Sequence, residues 1–506
     1  MKQLSTLILF CLCFAGCAER STEQNTPPNI VFLFADDLTY QAIHALGNQT
    51  IRTPNLDRLV NEGTTFTHAY NMGAWNGAVC AASRAMLNSG RSVWRANQFR
   101  QQWRQADSTA LQQSWSRLMS SAGYDTYMTG KWHVDAKAET IFDQVRHVRP
   151  GMPGDQWDHR EMVARFAELK ETGADPQSIM PLGYNRPLGP DDNSWLPSDT
   201  AMGGFWEGGQ HWSEVLRDDA LDYIGQAKAK EKPFFMYLAF NAPHDPRQAP
   251  QSFIDQYPLS DLSLPSSWLP EYPYKDDIGN GPGLRDAALA PFPRTEYATK
   301  VHIQEYYAII THLDEQIGKI LDALEASGKL DNTYIFFSAD HGLAVGEHGL
   351  MGKQNMYDHS LRVPLMVKGP GVPQGGKITA DVYIQDIMAS SLELAGIAKP
   401  NYVEFNSFMD LIGVADPKSH YDAIYGCYIE NQRMIRKDGF KLIVYPNAPK
   451  VRLYDLQADP NEMQDLSEKA DYQVKIKQLF GELIGLQASM DDKLDLSTLY
   501  DQIFPN

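Results

Sequence analysis

The chain of 506 residues is 43% hydrophobic and 21% charged, with a formal charge of −18. That composition supports a large buried core and excludes a chain disordered throughout. No long Lys/Arg run occurs, which argues against a nucleic-acid binder; an acidic protein that handles an anion must gather its cations, or a metal, locally.

The first seventeen residues, MKQLSTLILFCLCFAGC, set one lysine before an apolar run too short to span a bilayer, the pattern of a secretory leader. Ala15-Gly16 directly before Cys17 resembles a bacterial lipobox, which makes Cys17 a lipidated N-terminus; the alternative is a leader cleaved without lipidation. Residues 18–28 are polar and read as a tether, and Ala18 in place of Asp points to the outer membrane. The protein is therefore expected to be exported, either periplasmic or anchored in the outer membrane by this lipid alone. Of the five cysteines, Cys11, Cys13, Cys17, Cys80 and Cys427, only the last two remain in the folded body. Cys427, in the strand-like AIYGCYIE, reads as a small buried hydrophobe.

The body repeats a strand–loop–helix plan that predicts an α/β fold with a large, mostly parallel sheet sandwiched by helices. NIVFLFA (29–35) is a continuous apolar run, as expected for a buried parallel strand. TPNLDRLVNEG is a helix that stops at Gly63. A helix over Ala78 to Leu87 sets Cys80, Arg84, Leu87 and Arg91 on one face. SWSRLMSSAGYDTYMTG, ALDYIGQAKAKEKPFFMYLAFN and the segment 301–340 each read as a helix followed by a strand, and VPLMVKG is a further buried strand. Lys137–Gln210 and Pro258–Arg294, rich in Gly, Pro and Trp, interrupt the plan and are expected to form walls or lids. Residues 29–400 form the expected main domain. From 401 to 506, AIYGCYIE, QRMIRKD, FKLIVYP and RLYDL predict a smaller antiparallel α+β subdomain with a helix near its end.

Ligands of open α/β sheets bind beyond the carboxyl ends of the strands. There the sequence offers Asp36-Asp37, Lys131 and His133, His244 in APHDP, and Asp340-His341. Paired carboxylates suit a hard cation, and both can aim at one point only if the chain turns between them. Taken singly, each of these groups is equally well a helix cap or a structural loop residue. Cys80 sits at a helix N-terminus, where the dipole favours a thiolate, yet a soft thiolate fits poorly beside hard-metal carboxylates. That mismatch argues that the cysteine does not act as a thiol.

Cys80-Ala81-Ala82-Ser83-Arg84, followed by Gly90-Arg91, resembles the signature of the formylglycine-dependent type I sulfatases of the alkaline phosphatase superfamily. The likeness extends through NIVFLFADD, GYDTYMTGKWHV, FNAPHDP, SADHGLAVGEHGLMGK, RVPLMVKGPG and LYDLQADPNEMQDL. It implies that a maturation enzyme oxidises Cys80 to formylglycine, whose hydrate is an oxygen nucleophile and a metal ligand. It further implies that Asp36, Asp37, Asp340 and His341 hold Ca²⁺ with residue 80, that Arg84 steadies the hydrate, and that Lys131, His133, His244 and Lys353 surround the sulfate. The chain departs from the family pattern in Ala82 for the commoner Pro, in MLNSGR, in His341 where many members carry Asn, and in MYDHS.

Export and Trp-rich loops make a sulfated polysaccharide or oligosaccharide the expected substrate, with carrageenan- or ulvan-like galactans and glycans of algae favoured. Trp75, Trp94, Trp206 and Trp212 are candidates to stack on sugar rings. Arg95, His211 and Arg247 are candidates to meet further sulfates or a uronate. The rival readings are a phosphodiesterase or phosphonate monoester hydrolase of the same superfamily, and a non-catalytic glycan-binding surface lipoprotein.

Overall fold

A computed structural model of the chain describes residues 27–155, 158–173 and 180–505. The leader, Cys17 and nearly all of the tether lie outside the described residues. Among the described residues no helix is long and apolar enough to cross a membrane.

The described strands, in chain order, are β1 (Asn29–Ala35), β2 (Thr64–Tyr70), β3 (Gly73–Ala74), β4 (Asp125–Lys131), β5 (Gln144–Arg149), β6 (Trp206–Glu207), β7 (Gln210–His211) and β8 (Phe234–Ala239). They continue as β9 (Thr333–Ala339), β10 (Arg362–Lys368), β11 (Gly376–Ile378), β12 (Val382–Tyr383), β13 (Ile424–Tyr428), β14 (Gln432–Lys437), β15 (Phe440–Tyr445) and β16 (Lys450–Asp455). Nine of them make the principal sheet, ordered β11-β2-β10-β9-β1-β8-β4-β5, with β12 also paired to β2. All run one way except β10, which is antiparallel to both β9 and β2.

The central strand β1 is flanked by β8 and β9 and is buried along its whole length. A strand covered on both faces has no solvent side to mark with polar residues, hence its unbroken apolar run. Trp115, from the helix Trp115–Ser121, packs on Phe32 and Phe235 with ring centroids 5.4 and 4.8 Å apart. The long helix Glu296–Ala326 adds Ile309, Leu313, Ile317 and Ile320 to the same core.

Two expectations need correction here. Lys137–Gln210 is not loop throughout: it supplies β5 at the edge of the sheet and the helix His159–Thr172. The sequence of β5, QVRHVR, hides it, because an edge strand has one neighbour and tolerates charged side chains. Arg91 does not share the Cys80 face. The helix runs Val79–Ser89, Gly90 takes a left-handed φ of 68°, and Arg91 turns away to lie over the rings of Phe99 and Tyr402 at 3.6 and 4.5 Å.

The smaller sheet is antiparallel from β13 to β16 and backed by the helix Gln473–Ser489, which buries Ile476, Leu479, Phe480 and Leu483. Its last strand is β3, which pairs parallel to β13 and belongs to the segment leading into the Cys80 helix. The C-terminal subdomain therefore helps to fix the approach to Cys80. Cys427, in β13, is fully buried, and neither it nor Cys80 is in a disulfide.

Candidate active site

The ends of β1, β4, β8 and β9 converge with the N-terminus of the Val79–Ser89 helix. Asp36 and Asp37 follow β1. Asp37 has a left-handed φ of 68°, the turn that two adjacent carboxylates need to face one point. Ligand-type atoms of Asp36, Cys80, Asp340 and His341 all lie within 4.8 Å of one another, and so do those of Asp36, Asp37, Cys80 and His244. All of these residues are buried.

Cations stitch the cluster together. Lys131 Nζ bonds Asp36. Lys353 Nζ lies 2.9 and 2.8 Å from the two oxygens of Asp37 and 3.4 Å from Cys80 Sγ. Arg84 is fully buried; its Nε donates to Asp340 Oδ2 at 3.0 Å and its NH1 to the Lys131 carbonyl at 2.8 Å. Arg84 thus braces the carboxylates, which shape the site, and its hydrogen bonds do not reach Cys80.

His341 Nδ1 lies 2.9 Å from the Gly342 carbonyl, a contact that requires a proton on Nδ1 and turns Nε2 inward, 3.4 Å from Cys80 Sγ and 3.2 Å from Asp37 Oδ1. His244 Nδ1 likewise meets the Asp245 carbonyl at 2.6 Å, with Nε2 3.8 Å from Asp37 Oδ2. Burial holds the His133 imidazole below its usual value, against the pull of the neighbouring Cys80.

The charges couple strongly. Burial raises the Asp36 carboxyl, and the neighbouring Asp340 and Cys80 add to this against the pull of Lys131, so it stands well above the carboxylate range. Burial alone would also raise Cys80, but Lys131, Lys353 and His341 together hold the thiol well below its usual value. Burial lowers His341, yet Asp340 and Asp37 more than offset it and raise the imidazole. Asp36 Oδ1 is buried with no hydrogen-bond partner. An orphaned carboxylate oxygen among further carboxylates, with an imidazole nitrogen turned toward them, fits a hard divalent cation. The soft thiol is the one donor out of keeping.

Among the remaining expected contacts, Arg95 spends its guanidinium on Asp491 at 2.7 Å, Glu404 at 3.0 Å and the Ser489 carbonyl at 2.7 Å. His211 caps the helix Trp212–Lys228 by accepting from Ser213 N at 3.1 Å, and packs on His312. Neither joins the cluster. Arg247 is buried: NH1 reaches His302 Nδ1 at 3.0 Å, Nε and NH2 have no partner, and the guanidinium lies 5.6 Å from the ring of Tyr306, whose hydroxyl donates to the Asp37 carbonyl at 2.7 Å.

Trp94 bonds Tyr425, Trp206 packs on His211 and Trp212 lies under Arg149. Trp75 is half-buried in the stretch before Cys80, with Arg100 over its ring and no partner for Nε1. Sequence reasoning missed Tyr184, Arg285, Asp286 and Gln354. Asp286 accepts from Gln354 Nε2 at 2.7 Å and stands 3.8 Å from Lys353 Nζ. Only Asp245, beside His244 in APHDP, had a local signal.

Residues 28–397, which carry this cluster, match the sulfatase family. The chain belongs to the sulfatase family. Residues 346–489 of this sulfatase also match the C-terminal region of N-sulphoglucosamine sulphohydrolase. It is 29% identical to an arylsulfatase of Clostridium perfringens over 92% of this chain and 96% of that protein. It is 26% identical to an N-acetylglucosamine-6-O-sulfatase of Bacteroides thetaiotaomicron, over 96% and 91% of the two chains. A structure solved in complex with its substrate D-glucosamine-2-N,6-O-disulfate superposes with a TM-score of 0.67 at 22% identity, covering 92% of this chain and 99% of that one. The alkaline phosphatase-like fold and a sulfuric ester hydrolase activity are thereby established for this sulfatase.

Proposed function

We propose that the enzyme removes sulfate from a sulfated glycan, with Cys80 oxidised to formylglycine by a maturation enzyme and with Ca²⁺ held by Asp36, Asp37, Asp340 and His341 together with residue 80. The observation that carries this is the burial of one thiol among carboxylates and cations, where an oxygen at position 80 resolves the mismatch of soft and hard donors. Similarity to the N-acetylglucosamine-6-O-sulfatase supports a sulfated carbohydrate as substrate.

When bound, the cation and the formylglycine supply charge neutralisation and an oxygen nucleophile. Lys131 and Lys353 neutralise sulfate oxygens in a site from which water is largely excluded. His244 protonates the leaving oxygen from Nε2, and His133 takes a proton from the side chain at position 80 as sulfate departs. Arg84 keeps Asp36 and Asp340 aimed inward. Trp75 offers a ring to a sugar, and Arg247, with two unpartnered N–H groups, offers cationic attraction to a second anionic substituent.

Release of sulfate from a panel of sulfated oligosaccharides, with Cys80→Ala as control, tests the reading; retained activity in the control, or an unmodified thiol in the peptide carrying residue 80 from the native host, overturns it. Parallel assays with phosphate and phosphonate esters separate the superfamily alternative. Export with Cys17 lipidated belongs to the same proposal, and Cys17→Ala is expected to release the enzyme from the membrane fraction.

A further inference from the structure

Both long inserts reach Asp245, at the edge of the site. Tyr184, from the first insert, donates its hydroxyl to Asp245 Oδ2 at 2.8 Å. Arg285, from the second, brings NH2 to 3.4 Å from Asp245 Oδ1 and also bonds Asp286. The two partners stand 61 and 40 residues from Asp245 in the chain, and Asp245 is 2% exposed. The carboxylate lies behind His244: His244 Nδ1 is 2.6 Å from the Asp245 carbonyl oxygen and 3.3 Å from Oδ1. Opposite, His244 Nε2 faces Asp37 Oδ2 at 3.8 Å and Arg285 NH2 at 3.4 Å.

A loop histidine with a packing role has no use for a buried carboxylate fixed by groups from two separate inserts. A proton donor does. Its ring must hold one rotation to within a fraction of an ångström; the Asp245 carbonyl at Nδ1 sets that rotation, and the carboxylate of the same residue, fixed beside it, holds the carbonyl's segment in place and offsets the ring's positive charge before Nε2 gives up its proton. We propose that Asp245, held by Tyr184 and Arg285, is a positioning residue for His244, and that through it the two inserts set how well the enzyme cleaves esters of poor leaving groups such as sugar hydroxyls. This rests on the reading of His244 as proton donor to the leaving oxygen. Asp245 itself neither gains nor loses a proton. Tyr184 acts only through Asp245. Arg285, already shared between Asp245 and Asp286, fixes the carboxylate from the cluster side.

The test uses the mature enzyme, Asp245→Asn, Tyr184→Phe and His244→Ala with a series of sulfate esters graded from nitrophenyl to alkyl, and with inorganic sulfate as inhibitor. Asp245→Asn is expected to lower kcat by about 10- to 100-fold on alkyl esters and far less on nitrophenyl sulfate, a smaller share than the 10²- to 10⁴-fold that general acids contribute. Tyr184→Phe shifts the same way by a smaller factor, and inhibition by sulfate stays constant. Should Asp245→Asn fail to fold, Tyr184→Phe, which deletes one oxygen and no charge, carries the test. A loss equal across all esters, or none, in these variants while His244→Ala is selective for poor leaving groups overturns the positioning role. Loss of that selectivity in His244→Ala itself overturns the reading of His244 and the proposal with it.

Discussion

Lys353 Nζ stands 3.4 Å from Cys80 Sγ and 2.8 Å from Asp37 Oδ2, so a single ammonium touches both the side chain at position 80 and a carboxylate of the cluster. Burial works against this charge, but Asp37, Cys80 and Asp286 together raise the ammonium well above its usual value. Its proton is therefore secure across the working pH range. Lys353→Ala is expected to reduce kcat/KM on an aryl sulfate by about 10²- to 10³-fold, the size of a lost donor at developing negative charge. A loss under about threefold would show that Lys353 is structural.

Removal of metal makes a second prediction. Asp36, Asp37 and Asp340 crowd one buried volume, and their mutual repulsion is relieved by a bound cation. Calcium at a hundred times its Kd adds about 2.7 kcal/mol to the folded state. Thermal melts are expected to move up with calcium and down with chelator, and Asp36→Asn is expected to abolish most of that movement. Equal calcium shifts in wild type and Asp36→Asn would place the cation elsewhere.

Gly151 presses on a catalytic candidate. A Cβ built there meets His133 Cε1 at 2.5 Å and Nδ1 at 2.7 Å. Gly151→Ala is expected to displace the ring and cut turnover by about tenfold or more, since an ångström of misplacement is felt at the reacting atoms. The melting temperature, governed by the core, moves little. Unchanged kcat would mean that the His133 ring is free to yield.

Gly73 tests the join between the sheets. Its φ is 86° and a Cβ there would lie 1.8 Å from the Cys427 carbonyl oxygen, in the pairing of β3 with β13. Gly73→Ala is expected to cost about 1–3 kcal/mol or more through backbone strain. It should also lower activity, because β3 leads into the Cys80 helix. Activity retained at full level in a destabilised variant would uncouple the subdomain from the site.

Asp386 sets a pH dependence away from the active site. It is 1% exposed and accepts from Tyr383 N at 3.0 Å, Asn406 N at 3.1 Å and the Tyr421 hydroxyl, yet burial outweighs these bonds and pushes it up to about 7. A folded value above the unfolded one adds stability that is whole below the unfolded value and is lost as pH rises through about 7. Between about pH 5.5 and 8 the wild type is expected to lose about 2 kcal/mol that Asp386→Asn keeps, read from denaturant midpoints at several pH values. Parallel profiles for the two proteins would contradict it.

Much of this was legible in the chain. β1 begins and ends where the apolar run NIVFLFA does, because burial on both faces leaves no other pattern. The antiparallel meander and its covering helix near the C-terminus follow their local periodicity. β5 was not legible, since an edge strand needs no apolar alternation, and Arg91 was misplaced because Gly90 ends the helix one residue before it. The partners of Arg95 and His211, Asp491 and Ser213 N, were equally hidden, because the first lies 396 residues away and the second depends on where the helix begins.

The sequence by itself determined which chemistry the protein holds: one cysteine in a helix-opening motif, and carboxylates, lysines and imidazoles placed after apolar strands. Those features are local, set by strand ends and helix starts that neighbouring residues dictate. Tertiary structure alone decided which of those groups meet, and that Tyr184, Arg285 and Gln354 stand among or behind them. Contacts between segments tens to hundreds of residues apart depend on sheet order and on how irregular loops pack, and no short-range pattern encodes either.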